Sequence, residues 1–265
     1  MGLKVTILGC GSSAGVPRVG QGWGACDPAN PKNRRRRCAI LVERRSAGGA
    51  TTVLVDMGPD LREQLLDAGV RKLDGILLTH EHADHTHGID DVRPLALGMR
   101  RRLDVWIDDK TFGFIEPRFD YIFRTPPGSS YPPILRRHRM AAGETVSIAG
   151  DGGEIRALPF TMLHGDTTAL GFRFNDLAYA PDVHLMPEES VEMLHGLDVL
   201  IVDALRYTPH PTHFSVAQAL ELIGRVKPKR AVLTNLHTDL DYATLAAELP
   251  PHVTPAYDGM VLETP

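Results

Sequence analysis

Thr79-His80-Glu81-His82-Ala83-Asp84-His85 is the stretch on which the reading of this chain turns. It follows a short apolar run, residues 75–79, whose bounds and composition predict a buried strand. Strand side chains alternate between two faces, so His80, His82, Asp84 and His85 cannot all lie on one strand face. A tight strand-to-helix turn does bring them together. Imidazole and carboxylate are the donors that zinc, manganese and iron accept. The bland alternative is an exposed, merely polar turn. It fits less well, because the further donors needed to close a site occur downstream.

The rest of the chain frames that motif. It has 265 residues, 43% hydrophobic and 23% charged, which is ordinary globular composition and excludes disordered, collagen-like and coiled-coil chains. Such a length suits one large α/β domain or two small ones. The longest apolar runs, such as Val199-Leu200-Ile201-Val202, are strand-sized and fall far short of the roughly 20 residues of a membrane span. The opening MGLKVTILG enters a strand pattern and lacks the pattern of a secretion signal. No membrane partner and a cytoplasmic location are therefore expected. A net charge of −4 argues against bulk nucleic acid as a partner. Three scattered cysteines, Cys10, Cys26 and Cys38, point to a reducing compartment. Of the 12 histidines, most fall in short clusters with Asp.

Strand patterns are read over residues 3–8, 38–43, 51–56, 75–79, 103–107, 145–148, 154–163, 169–174, 177–180, 199–203 and 231–234. Helices are read over 59–68, 89–99 (despite Pro94), 187–195, 215–224 and 242–248. Residues 117–140, with five prolines, read as an irregular insertion. A β-rich opening and closing βα units suggest two similar halves, packed as two inner sheets with helices outside. Residues 1–265 read as one domain.

His80-His82-Asp84-His85 resembles, position by position, the first metal motif of the metallo-β-lactamase-fold superfamily. The resemblance implies a single-domain, four-layer αββα sandwich in the α/β class, with two metals at its edge. It implies His80 and His82 on one metal with a third His from a later strand end. Asp84 and His85 fall on the second metal, with an Asp bridging both and a final His. His164, Asp182 and His237 stand in that order, each just past a strand pattern. His164 has a plain loop role as its alternative. Asp182 competes with Asp166 and Asp176, and His237 with His252; Tyr179-x-x-Asp182 and the strand-end place of His237 favour the first of each. Five His and two Asp would hold two divalent ions, Zn2+ or Mn2+, with iron also accepted. Two such ions lower the pKa of a shared water and clamp phosphodiester oxygens.

His85-Thr86-His87-Gly88-Ile89-Asp90-Asp91-Val92-Arg93, the stretch Leu8–Pro17 and the closing Ala256-Tyr257-Asp258-Gly259-Met260 resemble the phosphodiesterase branch. That branch includes PhnP-type cyclic phosphodiesterases and, more distantly, tRNase Z. The resemblance implies attack by a metal-bridging hydroxide on a small cyclic nucleotide or ribose cyclic phosphate, with His213, in His210-Pro211-Thr212-His213, as general acid. His210 is the runner-up. Asp84 is given a catalytic as well as a metal role. PhnP-type enzymes carry a cysteine cluster for a structural zinc; the loop here has only Cys26, so none is expected. The short segment 117–140 disfavours tRNA.

Substrate contacts are assigned to Asp91 and Arg93, against an equally reasonable surface role. Arg34–Arg37 could touch phosphate, although charge runs are more often solvated. In Arg118-Phe119-Asp120-Tyr121 the aromatics could stack on a base, but core packing is the commoner role. Asp203 could orient a metal-bound His. A homodimer is compatible with the resemblance, but no interface pattern marks one. Two further readings stand: a lactone, ester or thioester hydrolase on the same centre, and a non-catalytic accessory protein like PqqB.

Overall fold

The computed structural model describes residues 2–264. One sheet holds β1 (Leu3–Gly9), β2 (Ala39–Ser46), β3 (Gly49–Val55), β4 (Gly75–Leu77), β5 (Leu103–Ile107) and β6 (Leu135–Arg139) side by side. The other holds β7 (Val146–Ile148), β8 (Ile155–His164), β9 (Thr167–Phe174), β10 (Leu177–Ala180), β11 (Val199–Asp203), β12 (Arg230–Thr234) and β13 (Val253–Pro255). The last strand, β14 (Val261–Glu263), crosses back to pair antiparallel with β1. The two sheets share one logic. Antiparallel pairing opens each of them, and parallel pairing takes over from β3 in the first and β10 in the second.

The strands read as unbroken apolar runs because both faces are buried. In β2, Ile40 and Val42 enter the core between the sheets, while Ala39 and Leu41 face the outer core beneath helices. In β11, Val199 and Ile201 point inward, and Leu200 and Val202 outward. Helices α1 (Leu61–Asp67), α3 (Arg93–Met99) and α4 (Asp109–Phe123) cover the first sheet; α5 (Glu188–Glu192), α6 (Val216–Val226) and α7 (Tyr242–Glu248) cover the second. A one-turn helix, α2 (Ala83–Thr86), belongs to the motif itself. Helix, sheet, sheet, helix is the four-layer sandwich expected.

Some expectations need correction. Residues 117–140 are not irregular throughout: α4 continues to Phe123 and β6 begins at Leu135. Pro117 hid the helix. The chain tolerates it by breaking helical geometry at Phe119 (φ −134°, ψ 34°). The helix read over 89–99 is a 3-10 turn (Ile89–Val92) followed by α3, with Pro94 in the first turn, where its missing N–H costs nothing. β13 and β14 were missed because three residues show no periodicity.

Arg34–Arg37 is largely structural. Arg35 is buried and donates to the carbonyl oxygens of His237 and Leu240 at 3.2 and 2.7 Å. Arg36 pairs with Asp258 at 3.0 Å and Arg37 with Asp60 at 3.2 Å. The three cysteines are buried and unpaired.

Candidate metal centre

The motif turn is held from behind by backbone. Met57 N–H donates to the His85 carbonyl at 2.7 Å, and Gly88 N–H to the Met57 carbonyl at 2.8 Å. A Cβ on Gly88 would lie 2.0 Å from the Gly58 oxygen, and one on Gly58 would lie 2.1 Å from the Asp84 oxygen. Only bare backbone fits in either place. Residues just past β4 therefore emerge at a fixed height above the sheet.

Three imidazoles converge there. His80 Nε2 is 3.0 Å from His82 Nδ1, and His164 Nε2 is 3.2 Å from the same atom. His80, His85 and Asp182 form a second group of donors, and His164, Asp182 and His213 a third, with the donor atoms of each group within 4.8 Å of one another. Asp182 belongs to two groups. His85 Nε2 is 3.1 Å from Asp182 Oδ2 and 3.5 Å from an Asp84 oxygen. The rings are oriented by their other nitrogens. Thr79 Oγ1 meets His80 Nδ1 at 2.9 Å, the Thr212 carbonyl meets His164 Nδ1 at 2.7 Å, and Asp56 Oδ2 meets His85 Nδ1 at 2.7 Å.

Burial sets the charge states. His80 is pushed well below the usual histidine range, first by burial and then by His85. His164 is pushed down chiefly by burial. Both are therefore neutral, with lone pairs facing the cluster. Burial also acts against the His85 cation, but Asp182, Asp56 and Asp84 outweigh it and hold that ring well above the usual range. Negative charge is thus concentrated on the His85 side.

The His213 ring lines the same mouth. Its Nδ1 is 2.7 Å from Asp203 Oδ2 and 3.7 Å from Asp182 Oδ1. Burial lowers its pKa, but Asp203 more than compensates and raises it to about 9. Asp203, read from the sequence as a partner for a metal-bound His, holds His213, a member of the third donor group. His237 is not brought into the three groups; its Nδ1 meets Asp239 at 3.1 Å. The side chain next to Asp182 from that strand end is Asn235, two residues earlier. It is buried, with Nδ2 3.3 Å from Asp182 Oδ1 and 3.0 Å from His213 Nδ1. Asn235 has a left-handed backbone (φ 60°), which breaks strand alternation and turns its side chain inward.

A cavity of about 620 Å³ opens over the cluster, lined by His82, Asp84, His164, Asp182 and His213 together with Ser13, Glu81, Lys110, Phe114 and His210. Asp91 and Arg93, expected to meet the substrate, are not among the residues lining this cavity; they line a separate depression with Leu65 and Leu66. Arg93 is occupied by Asp90 at 2.7 Å. The turn at Ile89–Val92 carries the chain away from the ligands, and α4 supplies Lys110 and Phe114 in their place. Asp56 was also missed. It sits just past β3 in an ordinary-looking run, and only the packing of β3 against β4 shows that it meets His85.

The residues fit a metal. A tetrahedral zinc site with Zn–N bonds near 2.0 Å has donor–donor edges of about 3.3 Å, close to the 3.0 and 3.2 Å seen between the three rings. Asp182 Oδ2 is buried with His85 Nε2 3.1 Å away and no well-aligned hydrogen bond, an anionic donor suited to a cation.

Paired mixed sheets with His and Asp donors at their strand ends define a metallo-hydrolase fold. The chain belongs to the beta-lactamase superfamily, whose domain profile matches residues 51–235. Over its whole length it is similar to the crystal structure of a diphosphatase from the PhnP family, at 35% identity and a TM-score of 0.89, covering 98% of that chain. It is 32% identical over 263 residues to an octanoyltransferase of Porphyromonas gingivalis, covering 97% of this chain and 51% of the relative. It is 33% identical over 164 residues to a ribonuclease Z of a Bradyrhizobium species, covering 60% of this chain and 49% of the relative. The chain thus spans about half the length of these two curated relatives. Among the described residues no helix is long and apolar enough to cross a membrane.

Proposed function

We propose that this chain hydrolyses a phosphodiester bond in a small cyclic nucleotide or ribose cyclic phosphate. The observation that carries this reading is the His213–Asp203 pair set at the edge of the His/Asp cluster, inside a cavity of nucleotide size. His80, His82 and His164 would hold one divalent ion, Zn2+ or Mn2+, and Asp84 and His85 the other, with Asp182 between them. Such ions supply a hydroxide near neutral pH and neutralise charge on the phosphoryl oxygens. Asp203 Oδ2 accepts a hydrogen bond from His213 Nδ1–H, which fixes the ring and leaves Nε2 as its free edge. From there His213 donates a proton to the departing alkoxide. Lys110, facing Glu81 at 3.4 Å, contributes positive charge at the rim, and the half-exposed ring of Phe114 offers a face for a base.

A diphosphate linkage is the second reading. It is favoured by the full-length likeness to the PhnP-family diphosphatase, and the same residues serve it. Acyl transfer is poorly supported, since burial pushes the Cys10, Cys26 and Cys38 thiols up and away from reactive thiolate.

The test compares wild type and His213→Ala on two substrates. A 2′,3′-cyclic nucleotide expels an alkoxide that needs a proton; bis(p-nitrophenyl) phosphate expels a stable phenolate. The variant is expected to lose roughly 10²–10⁴-fold in kcat on the first and far less on the second. Equal losses on both would remove His213 as the acid. No turnover of either by the metal-loaded wild type would remove the phosphodiesterase reading.

A further inference from the structure

The two ends of the donor cluster are chemically different, and Asn235 is where they diverge. On one side three imidazole nitrogens meet, two of the contacts at 3.0 and 3.2 Å. On the other, among the described residues, His85 is the imidazole set between two carboxylates, with His213 further off, its Nδ1 3.7 Å from Asp182 Oδ1. The neighbours of His85 are the Asp84 and Asp182 carboxylates, and the strand end that could have added another ring carries the buried Asn235 amide instead. His213, the nearest remaining ring, has its Nδ1 engaged by Asp203, and His237 turns to Asp239.

We propose that the centre is asymmetric. The His80–His82–His164 position binds the first ion tightly and with a preference for zinc. The Asp84–His85–Asp182 position is a weak, exchangeable site for a harder ion such as Mn2+, and Asn235 makes it so. The chemistry is that of the donors: imidazole suits zinc, whereas carboxylate oxygen suits manganese and magnesium. Asn235 Nδ2 also stands within hydrogen-bond reach of Asp182 Oδ1, which draws electron density from the carboxylate shared between the two positions. A second ion that comes and goes makes occupancy, and hence the state of the site, depend on the free concentration of that ion. This inference rests on the two-ion reading above but not on the identity of the substrate.

The test is a metal titration of the apo protein, read by competition with a chromophoric chelator and by elemental analysis after gel filtration. The electron paramagnetic resonance spectrum of bound Mn2+ gives an independent signal. Wild type should take one Zn2+ equivalent at least tenfold more tightly than the second, and Mn2+ added to the one-zinc protein should enter the second position. Asn235→Asp, which keeps the size of the side chain, should tighten the second equivalent by tenfold or more while moving the first by less. Asn235→His, checked for folding by circular dichroism, should do the same with zinc preferred in both positions. Two zinc equivalents of equal affinity in wild type, or an Asn235→Asp protein with the wild-type separation, would overturn the asymmetry while leaving the two-ion reading intact. A protein that binds no metal at all would fail the two-ion reading itself.

Discussion

Replacing Asp56 by Asn tests the centre without touching a donor. Asp56 Oδ1 accepts from Thr79 N–H at 2.9 Å, and Oδ2 meets His85 Nδ1 at 2.7 Å. A backbone N–H can only donate, so the Asn oxygen must take the Oδ1 place. Its NH2 group then faces His85 Nδ1, where two donors would collide. The ring resolves the conflict by moving its proton from Nδ1 to Nε2, which removes the lone pair that faces Asp84 and Asp182. Loss of such an orienting partner costs roughly 10–100-fold in metal affinity, or about 1.4–2.8 kcal/mol. The loss should fall on the second equivalent, since Thr79 Oγ1 beside His80 and the Thr212 carbonyl beside His164 stay in place. Chelator competition and elemental analysis measure it, and circular dichroism checks that the isosteric variant folds. An Asp56→Asn protein that holds both ions with wild-type affinity would refute the tautomer argument.

Gly88→Ala forces the motif turn and the Gly58 backbone about 1 Å apart; a displacement of that size near a reacting centre can lower kcat by about 10²-fold, with a fall in thermal midpoint measured in the same samples. His237→Ala should leave metal stoichiometry unchanged, because the ring lies outside the donor groups, whereas His164→Ala should lose an ion; elemental analysis separates the two. Asp241 caps α7 and, although burial opposes it, the N–H groups of Thr244 and Asp27 draw its pKa down to about 2. A lowered carboxylate stabilises the fold above its unfolded pKa, near 3.9, and that contribution disappears as pH falls towards 2. The gap in midpoint between wild type and Asp241→Asn, followed in metal-free protein, should therefore narrow between about pH 4 and pH 2.

The motif was legible because its chemistry is local: four donors within one turn need no tertiary knowledge. The layers were legible because strands such as Ile40-Leu41-Val42 bury both faces and so read as unbroken apolar runs. What resisted reading was direction. His237 and Asn235 occupy the same strand end, and residue type favours the histidine. The left-handed turn at Asn235 decides which side chain points inward, and nothing in a one-dimensional string displays that choice. Asp91 and Arg93 lie outside the cavity lining for the same reason, since nearness in sequence to the motif does not survive the turn at Ile89–Val92. Lys110 and Phe114 lie far from the motif in sequence and reach the cavity only because α4 passes over it.

Donors past β4 belong to one half of the sandwich, and those at the ends of β8 and β10 to the other. A cation seated among them is bonded to both halves at once and acts as a rivet through the hydrophobic seam. At a hundredfold excess over its dissociation constant, one such ion adds about 2.7 kcal/mol of resistance to unfolding. Stripping it away would therefore loosen the seam between the halves as well as silence the chemistry.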